Sequence, residues 1–216
     1  MAGNYSRTAR RGDKAGVAES MRRTADVHAA RGDFAKAAAI YQRALESLEA
    51  QGDKVGACAA YQNLGMAFEA LGDFARALSA QEQAVALWRE TGNKAGESGA
   101  LINVGNVYRS LGDSTSALIY YERGLALAEE VGQLDWKTNA LHNIAATHID
   151  LGEPKRALEC FERLLRGEDA ERVPLGLAKT LSNMGKAHAA LKDLEKALEL
   201  ALKAHEMSEV AADPWM

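Results

Sequence analysis

LINVGNVYRSLGD, residues 101–113, decides the architecture. Its residues Leu101, Val104, Gly105 and Tyr108 fall at i, i+3, i+4 and i+7, the spacing of one helix face. Gly112 and Asp113 then read as a helix stop and a helix start. Glycine closes a helix in the left-handed conformation, and the acid caps the next helix and suits its positive end. Two amides, Asn103 and Asn106, stand in the middle of the helix, where Asn is a mediocre former. They either bind something or hold the fold together.

The same phrase recurs at a period of 40 residues: YQNLGMAFEALGD at 61–73 and LHNIAATHIDLGE at 141–153. Ala37, Ala77, Ala117, Ala157 and Ala197 make one column, and Gly32, Gly72, Gly112 and Gly152 another, in which Lys192 is the lapse. An acid follows each, at Asp33, Asp73, Asp113, Glu153 and Asp193, and Pro154 sits where a first helical turn welcomes proline. Asn63, Asn103, Asn143 and Asn183 form a third column, occupied by Arg23 in the first repeat. A second junction, Gly52-Asp53, Gly92-Asn93 and the weaker Gly132-Gln133, divides each repeat, so each is a helical hairpin. One hairpin cannot bury its apolar face alone, so neighbours must stack.

The columns predict five hairpins, at about 14–51, 54–91, 94–131, 134–168 and 174–210, within one all-α domain over 14–210. Residues 1–13 are expected to be a flexible segment and 211–216 a tail. In the fourth repeat, Gly167 and the charged run after it predict a helix ending near Arg166, then a loop to Pro174.

Bulk composition agrees. Apolar residues make up 47% and aromatics 6%, which suits close helix packing, and the three prolines leave long helices unbroken. A net charge of −4 gives no support for binding a phosphate backbone. Cys58 and Cys160 show no paired or metal-type spacing. No apolar run reaches the ~18 residues of a membrane span, and the N-terminus lacks the apolar stretch of a signal peptide, so a cytoplasmic protein is expected.

A small residue at 65, 105 and 185, an aromatic or His at 68, 108, 148 and 188, Ala at 37, 77, 117, 157 and 197, and an aromatic at 41, 121 and 161 together resemble the tetratricopeptide repeat. The forty-residue unit is similar to those of Pins/LGN-type spindle-orientation adaptors. Kinesin light chains and some bacterial peptide-sensing regulators have comparably long units. Arg23 in the Asn column, Trp136 where other repeats have Gly56 or Gly96, and Lys192 depart from the pattern. The resemblance implies a right-handed α-α superhelical solenoid that acts as a non-enzymatic protein–protein interaction scaffold. In such proteins the first helix of each hairpin lines a concave groove, where an extended peptide or helix lies. Carried over, this places Arg22, Asp26, Gln62, Met66, Glu69, Ile102, Asn106, Arg109, His142, Ala146, Ile149, Ser182 and Lys186 on the wall. Asn63, Asn103, Asn143 and Asn183 border it.

The Asn column has two readings. Each amide bonds the neighbouring hairpin, or the column forms a ladder for a ligand's main chain; an amide both donates and accepts. Asn106 differs, because its column reads Asp26, Met66, Asn106, Ala146 and Lys186, and nothing structural demands an amide there. Together with Arg109 it is the first candidate for ligand contact. His28, His148 and His188 share the Phe68 and Tyr108 column and read as packing, whereas His142 faces the groove by register. No spacing suggests a metal site, a phosphate loop or a nucleophile, so no catalytic residue, metal or cofactor is expected. A chaperone-tail carboxylate clamp is not supplied by Gln62, Met66 and Ile102. The expected partner is a protein or peptide, not nucleic acid or membrane.

Leu202 stands in a column otherwise held by Gln42, Glu82, Glu122 and Glu162, and with Leu200 and Met207 it extends the apolar surface of the last hairpin. Terminal repeats normally need a polar cap. Either the tail folds back with Trp215, or this end meets a partner or another copy. The alternative function is therefore a structural subunit of a larger, for example cytoskeletal, assembly, held by its convex face and open C-terminal end.

Overall fold

The structure is a computed structural model and describes residues 2–166 and 174–212, with side chains over 16–166 and 177–209. Ten helices and no strand occur among the described residues: α1 Ala2–Ala30, α2 Phe34–Gln51, α3 Lys54–Ala70, α4 Phe74–Glu90, α5 Lys94–Ser110, α6 Ser114–Glu130, α7 Leu134–Asp150, α8 Pro154–Leu165, α9 Pro174–Ala190 and α10 Leu194–Ala212. This is the all-α hairpin repeat that the columns predict. The helices α3, α5, α7 and α9 begin 40 residues apart, at 54, 94, 134 and 174.

The junctions follow the expected chemistry. Gly32, Gly52, Gly72, Gly92, Gly112, Gly132 and Gly152 all have positive φ, from 68° to 81°. At the Gly52 turn, Gly52 N–H donates to Glu49 O and Asp53 N–H donates to Leu48 O, each at 3.0 Å, which satisfies carbonyls that the helix end would leave unpaired. The next residue caps: Asp53, Asp73, Asn93 and Asp113 each accept a backbone N–H three residues on, at 2.9–3.1 Å. Lys192 takes the same left-handed conformation, with φ 62°, without glycine's freedom.

The chain divides into two compact units, Met1–Gly112 and Asp113–Met216. In the first, each helix packs on the next and α3 also meets α5. Its core joins Tyr41, Leu45 and Leu48 of α2 to Ala57, Ala60, Leu64 and Phe68 of α3. Small residues set the spacing: a Cβ on Gly65 would lie 2.5 Å from the amide of the buried Gln81, and one on Gly96 would collide with the Trp88 ring. In the second unit, α6 to α10 again pack in chain order and α7 meets α9, around the fully buried Tyr121, Leu141 and Phe161.

Two boundaries bear on the sequence expectations. The backbone is helical from Ala2, through Gly12, where a flexible segment over 1–13 is expected from the Gly12-Asp13 junction. Residues such as Ala2, Arg7, Ala9, Arg10, Arg11, Lys14 and Ala15 favour helix, and the interior glycines Gly12 and Gly16 cost only about 1 kcal/mol each against that. The α8 helix ends at Leu165 with Arg166 as its cap, as predicted; the loop to Pro174 lies outside the described residues.

Candidate functional site

The first unit carries an open groove of about 520 Å³ between the end of α1, the starts of α2 and α4, and one face each of α3 and α5. Phe34 and Phe74, which follow the Gly32-Asp33 and Gly72-Asp73 junctions, supply aromatic lining with Met66, itself 53% exposed. Asn63 of α3 and Asn103 and Asn106 of α5 are the amides of the groove, and Glu69 and Ser110 complete its polar lining. The forty-residue period puts Asn63 and Asn103 at the same place on successive helices, which is why they meet here.

One wall is a fixed polar network. Tyr41 donates its hydroxyl to Asp26 Oδ1 at 2.6 Å, and Asn63 Nδ2 donates to the same oxygen at 3.3 Å. Arg22 pairs with Asp26 Oδ2 at 2.9 Å and with Glu19 at 2.8 Å. Burial, reinforced by Asp26, raises the Tyr41 phenol above its ordinary range, so it stays a donor. At the opposite end, Ser110 donates to Glu69 Oε1 at 2.9 Å. Burial holds the Glu69 carboxyl above the usual carboxylate range, and the Ser110 hydroxyl works in the other direction.

Of the residues that sequence register puts on the wall, Met66, Glu69 and Asn106 come together in this groove, with Asn63 and Asn103 of the bordering column. Arg22 reaches it only through Asp26. Arg109 is half-buried one turn from Asn106, and Ser110 lines the groove in its stead. Three expectations need correcting. Gln62 turns to the second helix of its hairpin: Trp88 Nε1 donates to its side chain at 3.0 Å, and Gln81 Nε2 to its carbonyl at 2.9 Å. Ile102 is fully buried. His142, 6% exposed, lies against Phe161 with ring centroids 5.8 Å apart, and its Nε2 is 3.1 Å from Thr180 Oγ1. The 62/102/142 column is thus core, because its side chains point into the hairpin and away from the groove.

Elsewhere in the second unit, Asn143 donates to Asn139 at 3.1 Å, Asn183 accepts from Lys186 at 3.2 Å, and Ile149 is half-buried. At the end of the chain Leu200 is 5% exposed, correcting its placement on an outer surface, since it faces the hairpin interior. Leu202 is 61% exposed and Met207 half-buried; Trp215 lies outside the described residues.

The histidine column has a second role that packing alone does not give. His148 Nδ1 is 2.9 Å from Glu153 and His188 Nδ1 is 3.0 Å from Asp193, so ring and junction acid tie the turn. Their i, i+5 spacing in the sequence was the available signal. Phe68, in the same column, instead carries Arg76 over its face at 4.3 Å. Among the described residues no group of three His, Cys, Asp or Glu could hold a metal ion, and no helix is long and apolar enough to cross a membrane. Cys58 is a buried free thiol that burial pushes up to about 11.

A family model described as tetratricopeptide repeat matches residues 16–90, 56–130, 96–170 and 137–209. The chain belongs to the tetratricopeptide repeat family. Among solved structures, these tetratricopeptide repeats resemble BtubC (BKLC) from P. vanneervenii at TM-score 0.78 and 20% identity, over 92% of this chain and 82% of that one. They also match the nearly identical TPR-like repeats assigned to a kinesin light chain of Podospora anserina, at TM-score 0.73 and 15% identity over 92% and 98% of the two chains. A third is the Rap conjugation gene regulator of plasmid pLS20 in complex with the Phr* peptide, at TM-score 0.72 and 17% identity. That match covers 89% of this chain but 53% of the regulator. At such identities the likeness is one of fold. No protein among the curated sequences compared matches the chain.

Proposed function

We propose that this tetratricopeptide repeat protein is a non-enzymatic cytoplasmic adaptor of the Pins/LGN kind, which captures an extended segment of a partner protein in the groove of its first unit. One observation carries the reading: Asn63, Asn103 and Asn106 present three amides beside the exposed Met66 and the rings of Phe34 and Phe74. Amides that donate and accept can pair with a peptide main chain, and the apolar lining holds an anchoring side chain. The neighbouring Rap regulator, described in complex with a peptide, supports a peptide occupant by analogy of fold. The net charge of −4 argues against nucleic acid.

Peptides selected on the wild-type protein from a displayed library test this. The Asn106→Ala/Met66→Ala variant should bind them at least tenfold more weakly, with helicity and melting unchanged. Equal binding by wild type and variant would remove the groove from the function.

A further inference from the structure

Leu194, Leu198 and Leu202 of α10 are 69%, 62% and 61% exposed. Spaced by four residues, they form one stripe within about 80° of the helix circumference. The repeat itself tells what covers such a stripe. Counterparts of Leu198 are Ala38, Leu78, Leu118 and Leu158, all buried or half-buried. Those of the exposed Ala201 are Tyr41, Gln81, Tyr121 and Phe161, all buried. In each earlier hairpin the second helix packs on the first helix of the next: α2 on α3, α4 on α5, α6 on α7 and α8 on α9. The face of α10 that continues this series is leucine-rich and open among the described residues.

The opposite end is built differently. On α1 the exposed Ser20 and Thr24 replace residues buried in later repeats, such as Ala60 and Leu64 or Ala100 and Val104. On the same face Val17 and Val27 are 46% and 51% exposed, so polar and apolar side chains alternate there, and Ser20 and Thr24 interrupt the apolar run that later repeats keep. The α10 face is apolar and carries a leucine, Leu202, beyond what its column needs.

We infer that the α10 stripe docks an amphipathic helix of a partner protein, seated as the first helix of a following hairpin would be and carrying a basic flank. The charge requirement comes from Glu195, Glu199 and Glu206, all exposed on one side of the stripe, 60–100° from Leu198 at 100° per residue. Glu199 also pairs with Lys196 and Lys203, at 2.8 and 3.3 Å, on the side farther from the leucines. Such exposed pairs are weak and leave the carboxylate able to meet a further cation.

Other occupants fit less well. In an antiparallel pairing of two copies of α10, the glutamate flank faces its own counterpart, which is repulsive. Head-to-tail stacking would set the leucines on a face where Ser20 and Thr24 interrupt the exposed Val17 and Val27.

The test uses the full chain and two synthetic 18-residue helical peptides with the same apolar stripe, one flanked by lysines and the other by glutamates. Fluorescence anisotropy should give at least tenfold tighter binding of the lysine peptide. Leu198→Glu/Leu202→Glu should weaken it at least tenfold with helicity unchanged. On the wild type, the methyl signals of Leu194, Leu198 and Leu202 should shift on titration, which maps the contact without any variant. Equal affinity for the two peptides, or shifts confined to other residues, would overturn the inference. So would a wild-type mass that light scattering finds doubled and that Leu198→Glu restores to one chain, since the stripe would then belong to a second copy.

Discussion

Ser110 of α5 hydrogen-bonds Glu69 of α3 at 2.9 Å, so a hydroxyl at the end of one helix holds a carboxyl at the end of another, both at the rim of the groove. Burial raises the Glu69 pKa above its ordinary value, and the Ser110 bond offsets only part of that.

A raised carboxyl pKa means that the folded chain binds this proton more tightly than the unfolded chain. The resulting penalty is absent below the unfolded pKa and complete once pH has risen through the folded one. Glu69→Gln keeps an acceptor for Ser110 and removes the buried charge. It should raise the melting temperature at pH 7 by about 1–3 °C and leave it unchanged at pH 4. Scanning calorimetry at the two pH values decides; a lower melting temperature at pH 7 would contradict the placement of Glu69.

His142 predicts the opposite slope. Its burial, with the Lys179 charge adding to it, holds its pKa down to about 4. Stability from the neutral ring is therefore complete above about pH 6.5 and lost as pH falls towards 4, an effect of about 3 kcal/mol. Urea melts of the wild type should weaken across that window, and those of His142→Leu should lose most of that slope. An identical slope in the variant would place the titrating group elsewhere.

Glycine substitutions separate packing from propensity. Gly96→Ala would drive a Cβ into the ring of Trp88, whose indole is 8% exposed and pinned to Gln62. Overpacking of about 1–3 kcal/mol exceeds the ~1 kcal/mol that Ala gains in a helix, so the net effect is destabilising. Gly16→Ala meets nothing within 4 Å and should stabilise by up to about 1 kcal/mol. Urea melts of the pair should move in opposite directions.

The hairpins were legible because their punctuation is chemical: only glycine takes the left-handed turn cheaply, and Asp or Asn caps the helix after it. The groove amides were legible for a related reason, since a fixed period places Asn63 and Asn103 alike. The face of the neighbouring columns was harder to read. Ile102 sits one residue, about 100° of helix, from Asn103, and both sides of a helix packed within a stack can be buried. His142 looks polar in the sequence, yet it is a core ring whose partners, Phe161 and Thr180, lie 19 and 38 residues away. Within the Asn column, Asn63 lines the groove while bonded to Asp26 of the neighbouring hairpin, whereas Asn143 and Asn183 bond residues of their own helices.

Lys192 has a consequence for the order in which the molecule comes apart. A non-glycine residue in the left-handed region stores about 1–2 kcal/mol, and this turn alone among the described residues carries that load. It joins α9 to α10, where Ala197 is only half-buried while its counterparts Ala37, Ala77, Ala117 and Ala157 are completely enclosed. When stability is a sum over hairpins and their neighbours, the strained and thinly covered hairpin peels away first. Opening of the second unit thus starts at the α9–α10 hairpin, and Lys192→Gly, which relieves the turn, should delay it.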